Sequence, residues 1–301
     1  MDRLEAMTIL LSVVDKGSFS AASRDLGVPL ATVSRKVNEL ERHLGTRLLV
    51  RTTRKVALTD AGAAYVASAR RILDEIDETE RVAAGEFHVP RGELILTAPV
   101  SFGRLHVLPV VTEFLAAYPE INVQLLLSDR NLHLIEDHVD MAVRIGPLPD
   151  STMVATRVGS MRTVVCASPQ LLARQGVPQS PEDLAGLPCV NFEFLSPASA
   201  WPFRLKSTKG TTDVPIRPRL SVTTAEAAVW AAAQGVGVTR VLHYQCANAI
   251  NDGSLRIILA NFEVQPLPVH LLYAGRGALP SKMRVFLDFA SGRLRESLSS
   301  P

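Results

Sequence analysis

Between Arg35 and Lys55 the chain carries seven lysines and arginines (35, 36, 42, 47, 51, 54 and 55) against two acids, Glu39 and Glu41. Over all 301 residues the formal net charge is only +2, so the positive charge is concentrated rather than spread. A local basic patch of this kind attracts phosphate whatever the rest of the chain carries. Thr32 and Ser34 can bond phosphate or a base edge with their hydroxyls, and the Arg35 guanidinium can reach guanine in the major groove. Leu30 lies just before that stretch and Asn38 within it. Arg51 and Arg54 flank a turn, where the expected contact is with backbone phosphates or the minor groove. These residue types offer recognition of a nucleic acid, not bond making.

The patterns of a catalytic or cofactor site are missing. There is no Gly-x-Ser-x-Gly elbow, no His-Glu-x-x-His, no phosphate loop of the Gly-x-x-x-x-Gly-Lys-Ser/Thr type and no Gly-x-Gly-x-x-Gly. Gly235-Val-Gly237 ends a helical pattern and opens a strand, the reverse of a dinucleotide site. The histidines at 43, 88, 106, 133, 138, 243 and 270 are scattered, and the pair at 133 and 138 is badly spaced for a metal on a helix. Cys166, Cys189 and Cys246 match no metal-ligand pattern and read as small buried hydrophobes in strands, with redox sensing by a pair of them as the alternative, for which the flanking residues give no support. No metal, no cofactor and no catalytic residue is expected.

The elements that must position the basic stretch can be read from its grammar. Ser18 can cap a helix whose Phe19, Ala22 and Leu26 lie on one face. Gly27 stops it, and Pro29 opens the next, since its missing N–H is free in a first turn. Val33, Val37, Leu40 and Leu44 then repeat at four, three and four and face a core. The opposite side presents Ala31, Arg35, Asn38 and Arg42, with Thr32 and Ser34 on the flanks. This is a helix-turn-helix, although a helical hairpin on the surface of a larger α-helical domain has the same spacing. Residues 1 to 16 give a preceding helix. Arg47 to Val50 and Lys55 to Leu58 give two short strands around Thr52-Thr53, a winged addition.

Gly17-Ser-Phe-Ser-Ala-Ala-Ser23, Leu26-Gly-Val28, Thr32-Val-Ser-Arg35, Leu40-Glu41, Leu44-Gly45, Arg47-Leu-Leu49, Arg51-Thr-Thr-Arg54 and Leu58-Thr-Asp-Ala-Gly62 together resemble the LysR-type transcriptional regulators. Many members of that family carry Ser-Gln-Pro where this chain has Pro29-Leu30-Ala31. The Gln is a usual base-contacting position, so Leu30 stands where a hydrogen-bonding side chain is common. The Pro-x-x-Thr-Val-Ser-Arg form resembles one branch of the family. The resemblance implies a regulator that binds double-stranded operator DNA and responds to a small-molecule effector.

Thr59 or Asp60 starts a long helical pattern reaching about Ala84. Tyr65, Ala69, Ile72, Ile76, Thr79 and Ala83 recur as a heptad seam. A lone helix cannot bury such a seam, so a second copy of the chain is expected against it. The family resemblance also implies a dimerising linker helix here, and a dimer of dimers or higher.

His88-Val-Pro-Arg-Gly92 breaks the pattern. Strands and helices then alternate in the manner of an α/β sandwich with a mostly parallel sheet. Strands are expected at 93–98, 121–127, 140–145, 163–167, 189–192, 220–222, 235–239, 255–259 and 269–273. Helices are expected at 104–118, 131–138, 169–175, 224–234 and 281–294, with loop and edge strands over 197–218. By resemblance this region is a two-lobed, periplasmic-binding-protein-like (type 2) effector domain. The domain plan is therefore 1–59 winged helix-turn-helix, 60–90 linker and 91–301 effector domain. Lobe one would take about 91–163 and 270–301, and lobe two about 164–269.

A cleft between such lobes suits a small anion, with a carboxylate favoured. Ser101 and Thr224, with Thr223 beside it, stand where helices begin, so free N–H groups and a positive dipole end would face the ligand. Arg144 at a strand end can add a bidentate clamp. Gly146 follows it, Ser128 ends a strand, and Phe203 in a loop could wall the cleft. No acid falls within Ser101-Phe-Gly103 or Arg144-Ile-Gly146. For the hydroxyls, ordinary helix capping is an equal alternative. For Arg144 the alternative is a surface ion pair with Asp140 or Glu136. No stretch approaches the roughly 20 uninterrupted apolar residues of a membrane span. The N-terminus, broken by Asp2, Arg3 and Glu5, does not read as a signal peptide. A cytoplasmic, bacterial protein with no membrane partner is expected. A DNA-binding architectural protein, or an enzyme with an accessory DNA-binding arm, are the other classes open to this sequence.

Overall fold

A computed structural model describes residues 2–51, 56–83, 90–130, 132–148, 153–196, 199–204, 210–275 and 279–299. The chain divides into two compact units, Met1–Val89 and Pro90–Pro301.

The first unit holds helices α1 (Arg3–Asp15), α2 (Phe19–Leu26) and α3 (Leu30–Leu44), strands β1 (Leu49–Arg51) and β2 (Val56–Leu58), and helix α4 (Asp60–Ala83). Its core is a single cluster of Ala6, Leu10, Val13, Ala22, Val33, Val37, Leu40, Leu48 and Leu49, closed by Val66 from α4. The Ser18 hydroxyl accepts from the Ala21 N–H at 3.3 Å and so caps α2. Gly27 ends α2 at φ +64°, a left-handed conformation that side chains resist, and this tight reversal sets α3 across α2. The strands pair antiparallel, Leu49 opposite Leu58 and Arg51 opposite Val56. Gly62 lets α4 pass close to the backbone just before β1, because a Cβ there would sit 1.9 Å from the Leu48 carbonyl oxygen.

The second unit contains two five-stranded sheets. The first, lobe one, has the order β4-β3-β5-β14-β6, with β3 Gly92–Ala98, β4 Ile121–Leu127, β5 Met141–Ile145, β6 Met153–Met161 and β14 Leu267–Ala274. The second, lobe two, has the order β11-β8-β12-β7-β13, with β7 Thr163–Ala167, β8 Cys189–Phe192, β11 Pro218–Val222, β12 Val238–Leu242 and β13 Arg256–Ile258. A hairpin of β9 (Ala200–Phe203) and β10 (Thr212–Pro215) adds to lobe two. The helices are α5 (Val100–Ala117, with a π-helical turn at Gly103–Val107), and α6 (Pro169–Gln175), α7 (Ala225–Ala233), α8 (His243–Asn251) and α9 (Ser281–Ser299).

Both sheets are mixed rather than mostly parallel. β3 runs parallel to β4 and β5, but β14 is antiparallel to both β5 and β6. In lobe two, β8 is parallel to β11 and β12, while β7 is antiparallel to β12 and β13. The cause is the path of the chain. It leaves lobe one through β6, enters lobe two one residue later in β7, and returns through β14. The strand that enters each sheet after a crossing, β7 in lobe two and β14 in lobe one, runs opposite to the others. The long strand β6 and helix α8 were not expected, and no helix forms over 132–138, where the described backbone only turns.

By length and composition α5 is apolar enough to cross a membrane. Here its Phe102, Val107, Val110, Val111 and Phe114 fill the lobe-one core with Leu94, Leu96, Val269 and Phe286. That packing is the usual reason for an apolar helix in an α/β layer.

Candidate nucleic-acid interface and ligand cleft

On α3 the buried residues are Val33, Val37, Leu40 and Glu41. Leu30, at 45% exposure, opens the helix, and Ala31, Arg35, Asn38 and Arg42 are exposed on its other side. Thr32 and Ser34 are partly buried between the faces. Arg35 Nη1 bonds Glu39 Oε1 at 3.0 Å along the helix. An exposed pair of this spacing is worth only about 0.3–0.5 kcal/mol, so the guanidinium is easily redirected. Lys36 is tied to Glu5 of α1. Arg51 lies in β1, but its side chain, and the whole of Arg54, fall outside the described residues.

Glu41 belongs to the core rather than the charge balance. It is 9% exposed, and its Oε1 accepts from the Leu48 and Leu49 N–H groups at 2.8 and 3.0 Å. A helix side chain thus holds the start of the wing. Nothing local in the sequence marks this long-range role, since the two N–H groups lie seven and eight positions on.

In the second unit a small cavity of about 20 Å³, space for a single water, lies where β3, β4 and β5 end. Thr97, Ser128, Arg130, Arg144 and the lobe-two residue Phe194 are among its walls. Of the residues expected around a ligand, Ser128 and Arg144 meet there, and Ser101, Gly146, Phe203, Thr223 and Thr224 are not among its lining. Arg144 is half-buried, and burial pulls its pKa below the ordinary arginine value. Its Nη2 donates to the Leu132 carbonyl at 2.5 Å, and no ion pair joins it to a described residue. Asp140, one of the two acids offered as alternative partners, accepts the Ile95 N–H at 2.8 Å. Ser128 Oγ accepts from the Arg130 N–H at 3.1 Å and shapes that turn. Gly146 takes φ +114° and donates its N–H to the Pro268 carbonyl.

Two expectations are corrected by this geometry, and at Thr224 the capping alternative is the one seen. Phe203 is not a loop residue at a cleft wall. It sits in β9 at 2% exposure, packed with Trp201, Val214 and Ile216 in the lobe-two core. Thr224 spends its hydroxyl as the cap of α7, accepting from the Ala227 N–H at 3.4 Å, and with Thr223 it is exposed. The start of α5 near Ser101 has an acid beside it after all. Asp129, carried there by the turn after β4, accepts the Val100 N–H at 3.0 Å. Burial pushes the Asp129 pKa up, against that hydrogen bond. Thr97, Asp129, Arg130 and Phe194 carried no motif that sequence reading could use.

A family model described as the bacterial regulatory helix-turn-helix protein, lysR family, matches residues 4–63, and one described as the LysR substrate binding domain matches residues 88–295. An HTH-type transcriptional regulator of Xanthomonas campestris pv. campestris is 36% identical over 290 residues, covering 95% of this chain and 84% of that protein. The HTH-type transcriptional regulator CrgA of Neisseria meningitidis serogroup C is 36% identical over 298 residues, 98% of each chain. The solved structure of CrgA matches with TM-score 0.60 at 33% identity, over 96% of this chain and 98% of that one. The Vibrio cholerae virulence activator AphB matches with TM-score 0.60 at 26% identity, over 96% of this chain and 98% of that one.

Proposed function

The chain belongs to the LysR family of transcriptional regulators, and from that premise we propose which of its residues read DNA and which hold its effector. It is a DNA-binding regulator with an effector domain, not an enzyme. The proposal places α3 in the major groove, with Leu30, Thr32, Ser34, Arg35 and Asn38 toward the bases and phosphates, and Arg51 and Arg54 on the backbone beside it. The observation that carries this is the two-sided surface of α3, apolar and buried on one side, small and basic on the other. Leu30 offers apolar contact to a thymine methyl where Gln is usual in the family. In sequence this surface fits the Pro-x-x-Thr-Val-Ser-Arg branch. The regulator works as a cytoplasmic dimer through α4, assembled further into a dimer of dimers. An effector biases the arrangement of subunits and thereby the spacing of recognition helices.

Arg35→Ala is expected to cost about 1–3 kcal/mol of operator affinity and to relax base preference at one half-site position. Binding of a single-substitution operator library checks this. Full discrimination by the variant would remove α3 Arg35 from the reading surface.

The effector is proposed to be a small organic anion at the cavity of Ser128 and Arg144. Arg144 supports this, since among the described residues its half-buried guanidinium is held by one carbonyl, an incomplete set of partners. The cavity is too small for such a ligand, so binding requires the walls to part. Losing a charge-assisted contact costs about 1.5–3 kcal/mol. Arg144→Ala should weaken effector binding by about tenfold to a hundredfold and leave effector-free operator affinity intact. Calorimetry against organic acids and their neutral analogues tests it. Tight binding of a neutral compound, unaffected by the substitution, would leave Arg144 without this role.

A further inference from the structure

Arg240 is the most deeply buried arginine among the described residues, at 5% exposure in strand β12. Its surroundings do not neutralise it. Nη1 donates to Ser196 Oγ at 3.3 Å, and no carboxylate is within ion-pairing distance among the described residues. Among the described residues the more distant field of Asp213 favours the charge, while desolvation brings the pKa down to about 10. A buried cation with one neutral partner is an expensive arrangement unless something else meets the remaining donors.

Its position says where that partner would come from. Alternate residues of a strand share a face, so Val238, Arg240 and Leu242 point the same way. Val238 packs in the lobe-two core with Trp201 and Phe203, whereas Leu242 packs in the lobe-one core with Phe102 and Val107. Arg240 stands between them, at the junction of the lobes. The turn that leads to Ser196, Glu193 to Leu195, carries Phe194, which walls the cavity of Arg144. That turn is itself fixed from beneath. Trp201 Nε1 donates to Asn191 Oδ1 at 3.3 Å, and Asn191 Nδ2 donates to the Ser196 carbonyl at 2.9 Å. All of these polar side chains are buried.

We propose that Arg240 is the lobe-two half of the effector site, and that the effector carries two acidic groups, one met by Arg144 and the other by Arg240. This rests on the anionic effector proposed above and adds to it a second charge and a second lobe. A ligand held at both ends binds best when the lobes are drawn together, which gives the effector the differential affinity that a conformational switch requires. A monoanion can satisfy only one end.

The test uses the full-length chain and matched pairs of probes: succinate, glutarate and adipate against butyrate, pentanoate and hexanoate. Binding is read by calorimetry and by the thermal midpoint at constant ionic strength. At least one dicarboxylate should bind about tenfold or more tightly than its monocarboxylate partner. Arg240→Met should erase that difference without weakening the monocarboxylate, and Arg240→Lys should restore part of it. The ligand-free Arg240→Met protein should melt no lower than the parent, since a buried charge has been removed. Arg144→Ala should weaken both probe classes. Equal binding of the two classes, unchanged by Arg240→Met, would overturn the second-charge proposal while leaving the single-anion reading standing. A ligand-free midpoint that falls on Arg240→Met, with the dicarboxylate preference kept, would make Arg240 a structural brace and also overturn it. Binding of neither class, with Arg144→Ala changing nothing, would remove the anionic reading itself and this proposal with it.

Discussion

Glu41→Ala is expected to release the wing from the helix-turn-helix and to destabilise the first unit by about 2–5 kcal/mol. The carboxylate is the acceptor for two consecutive N–H groups, those of Leu48 and Leu49. Both residues are 1% exposed, so water cannot replace it. Each buried donor left without a partner costs about 1–3 kcal/mol, and small domains have only about 5–15 kcal/mol in total. Glu41→Gln keeps one carbonyl oxygen in the same place and should recover most of the loss. Hydrogen exchange at the Leu48 and Leu49 amides reads the effect directly. Protection there should collapse in Glu41→Ala and persist in Glu41→Gln. Unchanged protection in Glu41→Ala would mean that backbone pairing alone holds β1.

The contrast between Glu41 and its neighbours shows what a sequence makes legible. The first unit was readable because its signals are local. Ser18, Gly27, Pro29 and the apolar repeat from Val33 to Leu44 act within a turn or two, and the elements begin and end near them. The role of Glu41 depends on residues seven and eight positions on, across a turn. In the second unit the same limit is felt more strongly. Helix α8 opens without a Ser, Thr, Asp or Asn cap, and the Gln245 side chain accepts the Leu242 N–H instead, at 2.9 Å. Its sequence, His-Tyr-Gln-Cys-Ala-Asn-Ala-Ile-Asn, has weak helix propensity and is held by packing of Cys246 against Val164, Cys166 and Val241. Strand β6 contains a glycine and an arginine, and it forms because β14 pairs with it along its length. Phe203 follows the apolar rule into a core instead of walling a cleft from a loop. Strand ends could be guessed and so could Arg144, but which groups converge there depends on two sheets that the chain visits out of order.

The seam of α4 carries the last expectation, because the structure divides it. Over its first half the helix is spent on its own unit: Val66 is 7% exposed and Ala69 1%, and Tyr65 packs on the same core. Beyond Ala69 the apolar stripe continues with Ile72, at 37% exposure, and the partly buried Ile76. These belong to a 24-residue helix, and neither isoleucine is among the residues of the first-unit core. We expect Ile72→Asp with Ile76→Asp to abolish the dimer without unfolding the helix-turn-helix. Burying an isoleucine contributes about 1.5–3 kcal/mol, and a symmetric dimer would bury four such side chains. Their loss, with four carboxylates facing one another, corresponds to about four decades or more in dissociation constant. Operator affinity should fall with it, since half-sites are then bound by single subunits. Sedimentation equilibrium measures the assembly, and circular dichroism verifies that helix content is kept. Val66→Asp serves as the contrast, because it should damage the folded core first. A double variant that sediments as the parent does would show that α4 past Ala69 is not the dimer surface.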